Sequence, residues 1–447
     1  MNKSVLIIFI LCFGSAAAQT KYGWYTEGSN NKPTRRISFS VSNPLDIPLT
    51  KEGITIRRTD LPFQDIAELW LAIIDPRLPP NPEPTPDELR KIGGYLMRKE
   101  TNGHSIPLQV DDLDKDGIWD ELFFLTDLAP RESREFYIYI DHYERGLYEH
   151  KVHGAIGNYG RHTVPFIETE HMGWKLWFPH GLDLHGKRAP MLVANYEYTT
   201  NKSGYYMPQE MGTDIMTVGQ TFGGGMMSIF EEPANPENPS RAYFSPFKNT
   251  GPIKDTRYAQ HVIYNGPLRS MVKVTTTNWN TGKGMYELEQ YYQVIADKSW
   301  ATVDVRFTKF QPLGSNVMFG AGIRKMMREY KSVNKDGMAI SMGKDVVVRS
   351  PDEDIGDEGL TVPWQGIAMV IKEKYNPKYF NIKSNGGNHV FEVPVTEDLS
   401  YQYMVFAGWS MGEVRNNEKE FIGYVETERL KYNKPPVVKI YNYEVKS

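Results

Sequence analysis

The 447-residue chain carries a formal net charge of −4 and no long basic block, so it lacks the concentrated cationic face that nucleic-acid phosphates require. Its one cysteine, Cys12, lies in the first segment, which excludes disulfides and cysteine-ligated metals from the remainder. Aromatic residues reach 13%, with 27 Tyr and 9 Trp. Most such rings belong to cores, yet rings set beside Arg, Lys and His also suit sugars, whose apolar faces pack on aromatic planes.

The chain opens MNK, continues VLIIFILCFG and then reads SAAAQ. A cationic start, an apolar run of about ten residues and an Ala-x-Ala step predict a signal peptide over residues 1–18 and a periplasmic or secreted protein. Leu11 before Cys12 departs from the small residue that a lipoprotein signal carries there. No later run is apolar and long enough for a membrane helix, so membrane insertion is not expected.

From residue 19 to about 150, RRISFSV, GITIRR and ESREFYIYI alternate apolar with polar residues, the period-two pattern of half-buried antiparallel strands. FQDIAELWLAII fits a helix or a buried strand, and PRLPPNPEPTP reads as an extended loop. The segment VDDLDKDGIWDEL sets Asp112, Asp114, Asp116 and Asp120 around Gly117. Carboxylates at alternate positions before a glycine turn can gather around Ca²⁺. The flanks are strand-like and the twelfth position is Phe123, not glutamate, so this is no EF-hand. It is either a strand-loop-strand turn holding structural calcium or a solvated acidic hairpin.

Beyond a boundary near residue 150, strand signals such as WATVDVRF and HVFEVPV run almost to the end, interrupted by one strong helix pattern, NEKEFIGYVETERLKY. The fold expected is therefore mainly β, a small N-terminal β-sandwich over 19–150 followed by a large antiparallel β-sandwich over 151–447.

The chemistry is concentrated in FPHGLDLHGKRAP, residues 178–190, which follow the aromatic run GWKLWF. His180 and His185 are five apart, on opposite faces of a strand, and no HExxH spacing occurs, so a zinc pair is poorly supported. No GxSxG elbow is present, and GQTFGGGM lacks the lysine of a phosphate-binding loop. What remains are proton carriers and cations beside aromatics, five of the ten histidines (162, 171, 180, 185 and 261) falling within one stretch.

That composition suits an anionic sugar. Removing the hydrogen at C5 of a uronate creates a dianion that protein donors must neutralise, while an acid protonates the group leaving from C4. His162 or His180 is assigned as base and Tyr206 as acid, with exchangeable roles. Arg161, His185, Lys187, Arg188 and His261 are assigned to carboxylate or sulfate, Gln220 completes the clamp, and Asp183 orients an imidazole. No cofactor is required for this chemistry. An ordinary structural loop is the competing reading of 178–190.

QVDDLDKDGIWDELFFLTDLAP, YGRH, GLDLHGKRAP, GTDIMTVGQTFGGGM and YNGPLRSMVKV, in this order, resemble a family of secreted bacterial proteins that includes the ulvan oligosaccharide dehydratases, over about residues 105 to 330. The resemblance implies a supersandwich of the type shared with sugar mutarotases and several polysaccharide lyases. It also implies elimination of water from the non-reducing-end glucuronate or iduronate of a sulfated algal oligosaccharide, leaving an unsaturated uronyl end. A lyase that expels a sugar instead of water, and a non-catalytic sugar-binding protein, are the alternatives.

Overall fold

A computed structural model of the chain describes residues 22–24, 35–62, 71–78, 105–140, 148–159, 162–177, 181–195, 211–242, 255–347 and 360–446. The signal segment, most of the proline-rich stretch, Arg161, His180 and Tyr206 lie outside the described residues. The protein is mainly β, in several antiparallel sheets, as expected. No helix among the described residues is long and apolar enough to cross a membrane.

The first body pairs a five-stranded sheet with a three-stranded one. The five-stranded sheet takes, in spatial order, Val437–Val445, Arg35–Ser42, Ser133–Ile140, Leu71–Ile74 and Ser105–Ile106. The three-stranded sheet takes Leu49–Arg57, Glu121–Leu128 and Leu108–Asp111. Alternate residues meet between them, with Ile37, Phe39, Val41, Phe136 and Ile138 against Ile54, Ile56, Leu122 and Phe124. The undecided LAII segment is a strand.

Two features depart from the strand pattern. Arg35–Ser42 is buried on both faces instead of one: Arg36 is 0% exposed, its guanidinium bonded to Glu444 at 2.8 Å and set over the rings of Trp24 and Tyr137. The second is Val437–Val445, placed by sequence with the larger body, which pairs with Arg35–Ser42 from Arg35↔Val445 to Ser42↔Val437. A strand's own pattern names a buried face but not its neighbour, so only folding reveals this return.

The larger body centres on an eight-stranded sheet, ordered Arg257–Asn265, Arg269–Asn280, Gly284–Ile295, Trp300–Pro312, Ser400–Trp409, Leu360–Ile371, Met338–Val347 and Arg328–Lys335. One face shares a core with two smaller sheets. The first of these is ordered Gly212–Asp214, Gly181–Lys187, Met172–Trp177, His162–Thr169 and Val152–Tyr159. The second is ordered Met226–Phe230, Met318–Arg324, Asn388–Pro394 and Lys378–Ile382. Trp174, Leu182 and Leu184 meet Val272, Val303, Val305, Met369 and Val405 there. On the other face the helix Glu418–Asn433, capped by Asn417, seats Phe421 and Val425 on Ile340, Ala368, Val370 and Phe406.

The turn GPLR, within the motif YNGPLRSMVKV, joins the two bodies. Arg269 donates to Asp111 at 2.7 Å and to Glu121 at 2.8 Å, and lies 4.6 Å from the ring centroids of both Phe123 and Tyr264. The Gln109 side-chain oxygen accepts from Leu268 and Arg269 N–H, each at 3.0 Å. A Cβ on Gly266 would fall 2.1 Å from Gln109, so the approach requires glycine.

Truncating one member of a buried ion pair strands the other charge, so Arg269→Ala is expected to cost about 3–5 kcal/mol in denaturant unfolding. Arg269→Met combined with Asp111→Asn should lose less than the alanine variant, because no charge is then stranded at Asp111.

Candidate functional site

The site is built on the five-stranded sheet of the larger body. In Gly181–Lys187, Leu182 and Leu184 enter the core, so Asp183, His185 and Lys187 project from the opposite face. Cross-strand register sets Lys175 beside Asp183 and Asp214 beside His185. Phe166 meets the His185 ring edge-on at 5.4 Å. Every one of these side chains is buried, His185 at 0% exposure.

Two ion-pair groups share this face. In the first, Lys175 Nζ lies 3.0 Å from Asp183 Oδ2 and 3.2 Å from His185 Nε2. An ammonium can only donate, so Nε2 accepts and the imidazole proton is assigned to Nδ1. In the second, Lys187 donates to Glu168, to the Thr169 carbonyl and, at 2.8 Å, to the Met191 carbonyl. Glu168 in turn accepts from Val193 N–H at 2.7 Å and Ala194 N–H at 2.8 Å. Burial alone would raise the Glu168 carboxyl, but the Lys187 charge and hydrogen bonds from His153 and Lys187 hold it below its ordinary range.

Lys187, assigned to ligand anions, has partners within the fold. Its ammonium is neutralised by Glu168 and holds the 191–194 segment against the sheet. His185, assigned the same role, is enclosed between Lys175 and Phe166. Arg188, at the end of the strand, is half-buried with its guanidinium 5.7 Å from the Trp409 ring centroid. That ring occupies the space left by Gly186, where a Cβ would come within 2.4 Å of it.

Asp214 gives the site its chemical character. Burial first, and then the neighbouring Asp183 charge, push its carboxyl up to about 7, against opposing pulls from Lys175 and His185. The carboxyl is therefore held above its ordinary range, beside an imidazole. A further buried cation, Arg324, donates to Asp345 at 3.2 Å and feels the charge of Asp183. Asp183, His185 and Asp214 offer ligand atoms within 4.8 Å of one another, the spacing a metal ion could bridge. Lys175 already supplies positive charge at that point, which favours acid–base over metal chemistry there. Glu170 with His171 and Asp297, and Asp112 with Asp114 and Asp116, form the other two such groups among the described residues.

Of the remaining assigned residues, Gln220 and His261 lie on other elements. His162 begins the strand His162–Thr169, while its side chain, like Arg161, His180 and Tyr206, falls outside what is described. Gln220 is exposed in a turn, its carbonyl accepting from Arg241 at 2.7 Å. His261 is exposed on the outermost strand of the eight-stranded sheet, paired with Lys273. Sequence reasoning missed Lys175, Asp214, Glu168 and Arg324. The signal for Lys175 was present: a lone charge inside the apolar strand WKLW must be buried with a partner.

The Asp112 to Asp120 loop holds itself together. Asp112 accepts from Lys115 N–H at 2.7 Å and Gly117 N–H at 3.0 Å, Asp116 from Ile118 N–H at 2.7 Å, and Asp120 from Leu113 N–H at 2.7 Å.

A carboxyl whose folded pKa is raised contributes stability below its unfolded pKa and loses it as pH rises through the folded value. Between the ordinary 3.8 and about 7, wild-type protein should therefore lose stability relative to Asp214→Asn, with the gap constant above that window. Chemical denaturation of both proteins at a series of pH values measures the gap.

The chain matches the family model described as "Domain of unknown function (DUF4861)" over residues 41–438. No curated protein matches. Among solved structures it is similar to a glycosyl hydrolase family 38 protein from Enterococcus faecalis, with TM-score 0.44, 9% identity, and 91% of this chain and 47% of that one covered. It is also similar to an alpha-mannosidase from Enterococcus faecalis V583, with TM-score 0.41, 9% identity, and 92% and 46% covered. The chain thus spans about half the length of these structures. With 398 of its residues inside the family model, from 41 to 438, the chain belongs to the DUF4861 family.

Proposed function

We propose that this protein is an exported carbohydrate-processing enzyme that eliminates water from the uronate at the non-reducing end of an anionic, ulvan-type oligosaccharide. The observation that supports this most is the buried carboxyl of Asp214, poised near neutrality beside His185 and Lys175. Elimination needs a base for the C5 hydrogen, an acid for the departing hydroxyl, and positive charge for the carboxylate on which the dianion develops. In this reading His162 or His180 and Tyr206 exchange protons with the sugar, and Asp214 with His185 serves as a proton reservoir. Arg161 and Arg188 meet the carboxylate or sulfate. The motif resemblance supplies the substrate class. The leader would deliver the enzyme to the periplasm or beyond, and the acidic loop would take calcium in a purely structural role.

The test is incubation with saturated oligosaccharides ending in glucuronate or iduronate. Loss of one water in mass, with the ultraviolet absorbance of a new carbon–carbon double bond and no shortening, is the expected result. Shortening would favour the lyase reading, and binding without either change would favour a non-catalytic module. Loss of a positioned proton carrier costs roughly 10²–10⁴-fold, so His185→Gln and Asp214→Asn should each lower turnover by about that much while the fold persists. Calcium added to chelator-treated protein should raise its melting temperature by a few degrees, and Asp114→Ala should remove that rise.

A further inference from the structure

A second chain of proton carriers lies outside this site, where the four-stranded sheet meets the edge of the eight-stranded one. Lys378–Ile382 is the edge strand of its sheet and pairs with Asn388–Pro394 so that Tyr379 faces Phe391 and Asn381 faces His389. Tyr379 and His389 therefore share a face, their rings stacked at 6.0 Å with 20° between planes. The Tyr379 hydroxyl lies 2.7 Å from His389 Nδ1, and His389 Nε2 lies 2.7 Å from Glu329 Oε2. Glu329 belongs to the other sheet, where it accepts from Ser341 and has Lys325 Nζ at 3.5 Å.

The partners set the direction of every bond. An ionised carboxylate only accepts, so Nε2 carries the imidazole proton and Nδ1 is left to accept from the phenol. Burial would raise Glu329, but the hydrogen bonds from His389 and Ser341 keep it below the ordinary carboxylate range and thus ionised. His389 is 1% exposed, whereas Glu329 and Tyr379 are each partly exposed, so the buried imidazole links the carboxylate of one sheet to the phenol of the other. A buried carboxylate–imidazole pair is a costly means of joining two sheets compared with apolar side chains of the same volume. The same order of groups, orienting carboxylate, imidazole base and hydroxyl, activates nucleophiles and proton donors elsewhere.

We propose that Glu329, His389 and Tyr379 form a second acid–base centre, in which the Tyr379 phenol exchanges a proton with an alcohol group of a bound ligand. As the ligand O–H gives its proton to the phenol oxygen, the phenol proton passes to Nδ1. The products are a ligand alkoxide, an intact phenol and an imidazolium facing the Glu329 carboxylate, and the reverse transfer restores the start. This centre is independent of the elimination proposed above, so its test requires no sugar.

The probe is an aryl sulfonyl fluoride, with labelled tyrosines identified by peptide mass spectrometry on the full chain. The phenol oxygen bonds to sulfur, the S–F bond breaks, fluoride leaves, and the proton goes to His389. Tyr330, 57% exposed, is the comparator, and exposure alone would make it react faster than the half-buried Tyr379. General-base assistance is worth 10² or more, so Tyr379 should label at least about tenfold faster than Tyr330. His389→Gln should remove that excess and Glu329→Gln should reduce it severalfold, with circular dichroism unchanged. Slower labelling of Tyr379 than of Tyr330 in the wild-type protein, or an undiminished rate in folded His389→Gln, overturns the proposal. Should neither variant fold, the wild-type ratio alone decides.

Discussion

One guanidinium joins the two bodies. Arg269 is held by Asp111 and Glu121 of the smaller body and is flanked by Phe123 from one side and Tyr264 from the other. Its neighbours in the same turn carry the register onward, for Pro267 O accepts from Lys151 N–H at 3.1 Å and Leu268 O from Ala296 N–H at 2.9 Å. Lys151 immediately precedes Val152–Tyr159, the outer strand of the sheet that bears the candidate site. The acidic segment and the GPLR turn are thus two halves of one joint, which explains why both stand out in the sequence without touching the chemistry. A guanidinium suits the task because its planar fork can meet two carboxylates while its faces lie on rings.

The second constraint is charge pairing on the outer face of that sheet. Period-two geometry sends Leu182 and Leu184 into the core and leaves Asp183, His185 and Lys187 together on the reverse. Enclosed charges must be paired, and Lys187 with Glu168 and Lys175 with Asp183 are. Burial first, and then the neighbouring Asp183 charge, keep the proton affinity of Asp214 high. The same enclosure that pairs Lys187 with Glu168 thus raises the proton affinity of Asp214.

Two acid–base groups of different design follow. At Asp214 the proton carrier is a carboxyl raised by burial beside a like charge, whereas at Tyr379 it is a phenol backed by an imidazole and an ionised Glu329. The first is built within one sheet from neighbouring strands, the second bridges two sheets. Both depend on a histidine whose tautomer is dictated by a partner, an ammonium for His185 and a carboxylate for His389.

Much of the fold was legible along the chain because alternation is local. WATVDVRF names its own core face, Val303, Val305 and Phe307, and NEKEFIGYVETERLKY announces its helix and its Asn417 cap. The cluster of chemistry in GLDLHGKR was legible too, since charges at alternate positions of an apolar strand must share one face. Tertiary structure alone decided which partners those charges met: Lys187 closes on Glu168, His185 on Lys175, and Arg269 on a hairpin more than a hundred residues earlier. The reason is physical. Periodicity sets the direction of a side chain relative to its own strand, but pairing energy and proton affinity arise from groups that folding brings within a few ångströms, and nothing local encodes that distance.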